Sequence, residues 1–403
     1  MSKLSHSLNM AARFTRLGIR HPGVIKSRVR ALYRNKYGIP KDRNDPEGYS
    51  APPTRLNFDL TRRCNLRCLT CMQNRHTEDE NFKSMGHYSQ ENELPLSTWI
   101  GLLDQFTSFK PSICLFGGEP TLFNGVIDLI DAAKSKGFPV QITTNGTKLA
   151  KMAEDLVRTG IDWVTVSLDG PEEYHNTIRG RKDAFSLTTE GIRALVEARK
   201  RLGRAAPIVG VNTVISKTNV DVVDQVAPIV AELGVDLLQF SHTNFNRMDN
   251  IEKHNRIFPS SFNKDEYTFE LIAEPSIMPG ECYESEVAEA DIPKINAAIQ
   301  RAREASAGKL HFYAFPNLPE DLVGTWYLDF KHDFGQLCQK LWGSSTILPD
   351  GTVQSCFHIK NGNITEQPFM DIWNGPAMRH FRKIIAKRLL PGCARCCSRK
   401  FVF

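Results

Sequence analysis

Apolar and polar positions change period along the chain, and each change marks an element. Leu56, Phe58 and Leu60 alternate with polar neighbours, the two-residue period of a half-buried strand. Trp99, Leu102, Leu103 and Phe106 then fall on one helical face. Three short apolar runs follow, each closed by a polar or glycine-rich turn. They are Ile113 to Phe116 before Gly117-Gly118, Val140 to Thr144 before Asn145-Gly146, and Trp163 to Leu168 before Asp169-Gly170. Ile208 to Ile215 and Leu237 to Ser241 complete the series, and helical spacing fills the gaps over 122–136, 147–159, 184–202 and 219–233.

Six strand–helix units predict a parallel sheet with helices outside it, an α/β fold. The count exceeds a mononucleotide-binding half and falls short of a closed eight-fold barrel. Ligands of such sheets bind at the carboxyl ends of the strands, so the chemistry is expected in the turns just named. The chain divides into a basic helical N-terminal arm at 1–54, a core at 55–245, a linker or insertion at 246–330 and a small cysteine-rich module at 331–403. In the arm, Ile25, Arg28, Val29, Leu32 and Tyr33 follow helical spacing.

No stretch approaches the ~20 apolar residues of a membrane span. Residues 1–40 hold no continuous apolar run of the kind a secretory signal needs, so a cytoplasmic protein is expected. The net charge of +6 is unevenly spread. Residues 1–45 carry 11 Lys/Arg against Asp42 and Asp45, and the rest carries 40 basic against 43 acidic residues. A near-neutral body excludes a nucleic-acid-binding surface there. The arm suits peripheral contact with a membrane or an anionic partner, or simple packing on the core.

Ten cysteines point to metal or redox chemistry rather than disulfides in this context. Cys114 and Cys282 stand alone and read as small buried hydrophobes. Cys64, Cys68 and Cys71 follow the first strand with the spacing C-x3-C-x2-C. Three thiolates on one loop can share a soft metal centre. A structural zinc wants four ligands, whereas a [4Fe–4S] cluster on three leaves one iron open. An incomplete zinc site or three incidental thiols are the alternatives.

On these cysteines, the chain resembles the radical S-adenosylmethionine (SAM) enzymes, which carry this spacing after the first strand of a partial (β/α)6 TIM-like barrel. The next strand end, Gly117-Gly118-Glu119-Pro120, is similar to the family turn that contacts the SAM amino group. Asn145, Ser167, Asp169, Arg179 and, on the fifth strand, Asn212 match further SAM-binding positions. The resemblance implies that Ser167 and Arg179 hold the ribose and carboxylate, for which a guanidinium fork is suited. Thr70 departs from the family, which usually has an aromatic residue there to pack on adenine.

The C-terminal cysteines run Cys338, then Gly351-x4-Cys356, then Cys393-x2-Cys396 with Cys397 adjoining. Asp350-Gly351 is a hairpin turn signal that brings Cys356 near Cys338. This pattern resembles the Twitch version of the SPASM module, which holds an auxiliary [4Fe–4S] cluster. The resemblance implies Cys338, Cys356, Cys393 and Cys396 as its ligands, with Cys397 an alternative to Cys396. A four-cysteine zinc ribbon is the other reading.

The resemblance implies reductive cleavage of SAM to a 5′-deoxyadenosyl radical, hydrogen abstraction from a substrate, and disposal of the surplus electron to the auxiliary cluster. The expected partners are an electron donor such as flavodoxin or ferredoxin and a small-molecule, sugar, lipid or glycan substrate. A peptide or protein substrate is the alternative, and a non-catalytic metal scaffold is a reading of another class. His242, at the end of the sixth strand, is the candidate base. The polar loop from Met72 to Glu93 is long enough to act as a lid.

Overall fold

The computed structural model describes residues 29–71, 93–243, 245, 247–260, 270–271, 285–332, 334, 337–356, 359–396 and 399–400. Cys282, Cys397, most of the expected lid and the first 28 residues of the arm lie outside them.

All six predicted strands form: β1 (Arg55–Asp59), β2 (Ser112–Phe116), β3 (Val140–Thr144), β4 (Trp163–Ser167), β5 (Ile208–Ile215) and β6 (Leu237–His242). They pair in chain order, every pairing parallel. Helices α1 (Leu96–Leu102), α2 (Val126–Ser135), α3 (Leu149–Arg158), α4 (Glu172–Arg179), α5 (Ala184–Arg201) and α6 (Val226–Glu232) run between them. Strand residues such as Leu56, Phe58, Leu115, Ile142, Val166, Val211 and Phe240 are buried in one apolar core with Trp99, Leu102, Leu103 and Phe106 of the α1 segment. That core is the outer face of the sheet, covered by helices.

The sheet is longer than six strands. Residues 246–330, unassigned from sequence, hold α7 (Met248–Ser260), α8 (Ile292–Ser306), strand β7 (His311–Phe315) and α9 (Glu320–Leu328). β7 pairs parallel with β6. At the opposite edge, β8 (Ser344–Ile347) of the cysteine-rich module pairs parallel with β1, from Arg55↔Ser344 to Phe58↔Ile347. The eight parallel strands run in the order β8-β1-β2-β3-β4-β5-β6-β7, and β7 and β8 are not paired with each other, which is the opening of the partial barrel. β9 (Thr352–Gln354) folds back antiparallel on β8 through the predicted hairpin. Gly351 sits in that turn at φ +86°, where a Cβ would meet Asn363 Oδ1 at 2.6 Å. One sheet therefore joins barrel and module.

The inner face of the sheet follows the opposite strand parity. Its floor is apolar: Trp163, Ile208 and Leu237 pack together with Tyr313 against them. Above the floor the wall is polar. Arg55 donates to Asn57 and to Cys114 Sγ, Gln141 also donates to Cys114 Sγ, and Asn57 donates to Thr346. Tyr313 donates to Gln239, Gln239 to Ser241 and Ser241 to Asn212. Cys114 is buried as expected, but it is hydrogen-bonded on the polar wall rather than packed in the apolar core.

The described part of the N-terminal arm packs on the module. Arg34 pairs with Asp42 at 2.5 Å and donates to the Trp342 carbonyl, and Arg43 donates to that of Ala386. Arg382, on α10 (Pro376–Lys387), donates to the carbonyl of Gly48 in return. Among the described residues no helix is long and apolar enough to cross a membrane.

Candidate functional site

The loop from Thr61 to Cys71 crosses the carboxyl end of the sheet and is pinned on three sides, by backbone on two of them and by side chains on the third. On the β2 side, Gly118 N–H donates to the Thr61 carbonyl (2.6 Å) and Glu119 N–H to that of Arg63 (2.8 Å). Two glycines are needed there because the backbones touch. A Cβ at Gly118 would lie 2.4 Å from the Arg63 carbonyl oxygen, and Gly117 has φ +136°. On the β3 side, Asn65 bonds both Asn145 (2.9 Å) and Thr147 (2.8 Å). On the α4 side, Arg67 and Leu69 N–H groups donate to the carbonyls of Arg179 and Ile178. Glu93 adds a brace unforeseen in the sequence: it accepts from Thr61 and, bidentate, from Arg63 at 3.0 and 2.9 Å.

Within this frame Cys71 lies close enough to both Cys64 and Cys68 for its charge to bear on each. Burial pushes the Cys64 thiol up, and it pushes Cys68 up to about 11 while Arg179 opposes it. Thiols crowded in this way need a cation to ionise, which is what an iron centre provides.

The predicted SAM residues gather around the same loop in unequal states. Glu119 is buried with both carboxylate oxygens engaged, by Thr121 (2.6 Å), Thr144 (2.7 Å) and the Asn145 N–H (2.7 Å). Burial raises its pKa and these bonds oppose the rise. It clamps the end of β2 to the end of β3 and starts the Pro120 turn. Asp169 is spent on Arg179 (2.6 Å) rather than facing the site. Arg179 Nε is buried without a partner, as is Asp59 Oδ1 beneath Gly117. Burial pushes Asp59 up to about 6, with Arg62 opposing. Orphaned donors and acceptors at this mouth are what a bound polar ligand would satisfy. Ser167 and Asn212 are paired across β4 and β5. Because Ser241 donates to Asn212 Oδ1 (2.7 Å), the Asn212 amide is left to donate. His175, beside this group, is fully buried. Its Nδ1 accepts from Asp169 N–H (3.1 Å), and burial pushes its pKa down to about 4, with Asp169 opposing.

His242 is not in the site, a correction to its reading as a base. Its strand parity places it with Leu238 and Phe240, opposite Gln239 and Ser241, so it enters the sheet–helix layer. There Nδ1 meets the Tyr327 hydroxyl of α9 at 2.9 Å. Burial alone holds its pKa down to about 3. The unfolded histidine binds a proton below about 6.5 and the native one does not until about 3, so stability falls with acidification across that window. H242F should therefore lose about 2–3 kcal/mol less stability than the native chain between pH 7 and 4.5. Equal losses, read from urea midpoints, would return His242 to a solvated position.

The four module cysteines also converge. Burial and the charges of Cys356, Cys338 and Cys396 push Cys393 well up. Burial and Cys396 raise Cys338. Among the described residues no three His, Cys, Asp or Glu side chains close on a single ion. A cluster of several irons takes its thiolates from farther apart, and mutual thiol charge is the relevant measure there. Arg395, inside the Cys393-x2-Cys396 turn, caps α9 through the carbonyls of Trp326 (2.9 Å), Thr325 and Asp329. Its guanidinium also lies over the rings of Trp326, Phe330 and Phe334. Sequence alone carried no signal for that latch.

Residues 58–215 match the model of the radical SAM superfamily, and residues 338–397 match that of the iron–sulfur cluster-binding SPASM domain. The chain is 31% identical over 191 residues to the tungsten-containing aldehyde ferredoxin oxidoreductase cofactor-modifying protein of Pyrococcus furiosus, covering 46% of this chain and 51% of that one. It is 33% identical over 187 residues to Fe-coproporphyrin III synthase of Methanosarcina barkeri, covering 46% and 43%. The chain thus spans about half the length of these curated relatives. Its fold is similar to Streptococcus suis SuiB (TM-score 0.56, 15% identity, 82% of this chain and 68% of that one). It is also similar to anSMEcpe with bound AdoMet (TM-score 0.54, 18% identity, 86% and 87%). With three thiols over the mouth of a partial barrel and four in a module sharing its sheet, the chain belongs to the radical SAM superfamily and carries a C-terminal SPASM iron–sulfur domain.

Proposed function

We propose that this protein uses reductive cleavage of SAM to take a hydrogen atom from a substrate carbon, and that it completes a net oxidation by passing one electron to the auxiliary cluster. The observation that carries this reading is the Cys64–Cys71 loop, tied to the turns after β2 and β3 and to the end of α4, beside the buried and unpartnered Arg179 Nε and Asp59 Oδ1. Bound there, a [4Fe–4S] cluster and SAM supply a 5′-deoxyadenosyl radical able to break an unactivated C–H bond. Cys64, Cys68 and Cys71 would hold the iron. Because Glu119 is committed to its own chain, the backbone carbonyls of the Gly117-Gly118 turn are what remains to receive the SAM ammonium. Arg179 Nε would meet the carboxylate, with Ser167 and Asn212 lining the nucleoside side.

The inner wall favours a small hydroxyl- or amide-bearing substrate. Asn57, Gln141, Asn212, Gln239 and Ser241 offer neutral hydrogen-bonding groups above an apolar floor. A peptide substrate is the second reading, favoured by solved neighbours with peptides bound, SuiB with precursor peptide SuiA and anSMEcpe with Cp18Cys peptide. A one-electron donor of the ferredoxin or flavodoxin type would feed the site.

Anaerobic reconstitution with iron and sulfide, then dithionite and SAM, tests the reading. About eight irons per chain and formation of 5′-deoxyadenosine are expected, and a reconstituted protein that leaves SAM intact would end it. Alanine at both Cys338 and Cys356 should remove about four irons while SAM cleavage continues. Cleavage lost with the auxiliary iron would mean that the second cluster serves the first and is no terminal acceptor.

A further inference from the structure

Arg179 is the last residue of α4, and its guanidinium turns back onto the cysteine loop. Nη1 donates to Cys68 Sγ at 3.7 Å, and Nη2 pairs with Asp169 Oδ2 at 2.6 Å. Asp169 is 1% exposed and is itself fixed, since Oδ1 accepts the Val214 N–H at 3.2 Å. The bonds from Arg67 N–H to the Arg179 carbonyl and from Leu69 N–H to that of Ile178 hold loop and helix in register, and the Asp169 pairing holds the guanidinium beside the sulfur. A positive group faces the thiol, and a negative group stands behind it. Simple fastening of α4 would need the Asp169 pairing but not the second face turned to a thiol.

Potentials of iron–sulfur clusters respond to nearby net charge, to N–H bonds on sulfur and to burial. An N–H donor and a cation on a ligating sulfur stabilise the reduced, more negative cluster, while a carboxylate nearby opposes this. We propose that Arg179 and Asp169 set the reduction potential of the cluster held by Cys64, Cys68 and Cys71, the arginine raising it and the aspartate holding it down. This rests on the function proposed above. It gives Arg179 a positioning and tuning role beyond any contact with SAM, and it gives Asp169 a role at the cluster although it faces no ligand.

The test is an anaerobic redox titration followed by electron paramagnetic resonance, on full-length wild type, D169N, R179Q and R179K. The signal followed is the one that SAM perturbs, titrated in the absence of SAM. The midpoint should move down in R179Q and up in D169N, with R179K between wild type and R179Q. A purely structural ion pair would not move the midpoint in opposite directions from its two ends. If R179Q assembles no cluster, D169N and R179K decide. A D169N midpoint at or below wild type overturns the proposal, as does an R179K midpoint above it. A wild type with no SAM-responsive signal would instead remove the proposed function and leave the charge arrangement without an object.

Discussion

Replacing Cys64, Cys68 and Cys71 together by alanine is expected to abolish 5′-deoxyadenosine formation and to lower iron content from about eight to about four per chain. The loss should be chemical and not structural. The loop is held by Gly118 N–H on Thr61, Glu119 N–H on Arg63 and Leu69 N–H on Ile178, none of which involves a sulfur. The Glu93 brace on Thr61 and Arg63 is also untouched. The thermal midpoint of the metal-free variant should therefore stay close to that of the metal-free parent. Removing one buried and two partly buried thiols, with Cys71 repelling the other two when ionised, carries little cost before iron is added. Cleavage of SAM that survives the triple change would show that the radical centre lies elsewhere. A collapse of the metal-free fold would show that the sulfurs pack the loop and that the backbone ties do not suffice.

Arg382→Met should be strongly destabilising. Arg382 is 1% exposed and donates to the carbonyls of Leu341 (2.8 Å), Trp373 (2.8 Å) and Gly48 (3.2 Å) and to Asn374 Oδ1 (2.9 Å). Its guanidinium also stacks over the Trp373 ring, 4.4 Å from the centroid. Burial pushes its pKa down to about 9, with Asp42 opposing, so it stays charged at pH 7. Methionine fills the volume but leaves the carbonyls of Leu341, Trp373 and Gly48 without this donor, while Asn374 Oδ1 keeps the Ser50 N–H. A loss of about 3–4 kcal/mol is expected, read as a shift of the urea midpoint. Because one bond reaches Gly48, protease cleavage near residues 45–52 should also accelerate. A loss under about 1 kcal/mol, with no change in cleavage, would show that apolar packing and the other polar ties, those of Arg34, Arg43, Trp373 and Asn374, hold the N-terminal segment without Arg382.

The local pattern of the chain was a sound guide to local structure. Strand runs such as Val140 to Thr144 and Ile208 to Ile215 are two-sided or alternating in the sequence and are strands in the fold. The C-x3-C-x2-C spacing, the Gly117-Gly118 turn and the Asp350-Gly351 hairpin are written in contiguous residues, and so were legible as motifs. β7 was not, because it follows a long polar stretch and its partner β6 lies some seventy residues earlier. β8 was read only as part of a separate module, since nothing in Ser344 to Ile347 announces that it completes the edge of the barrel beside β1.

By itself, then, the sequence determined the six core strands, the two cysteine groups and the superfamily, because these rest on local periodicity and on residue spacings along the chain. Only the tertiary structure decided that Glu119 is consumed as a clamp, that His242 leaves the lumen for Tyr327, and that Arg179 divides itself between Asp169 and Cys68. Those outcomes turn on which face a side chain takes and on which distant donor reaches it first. Packing across the sheet settles both, and no local period encodes them.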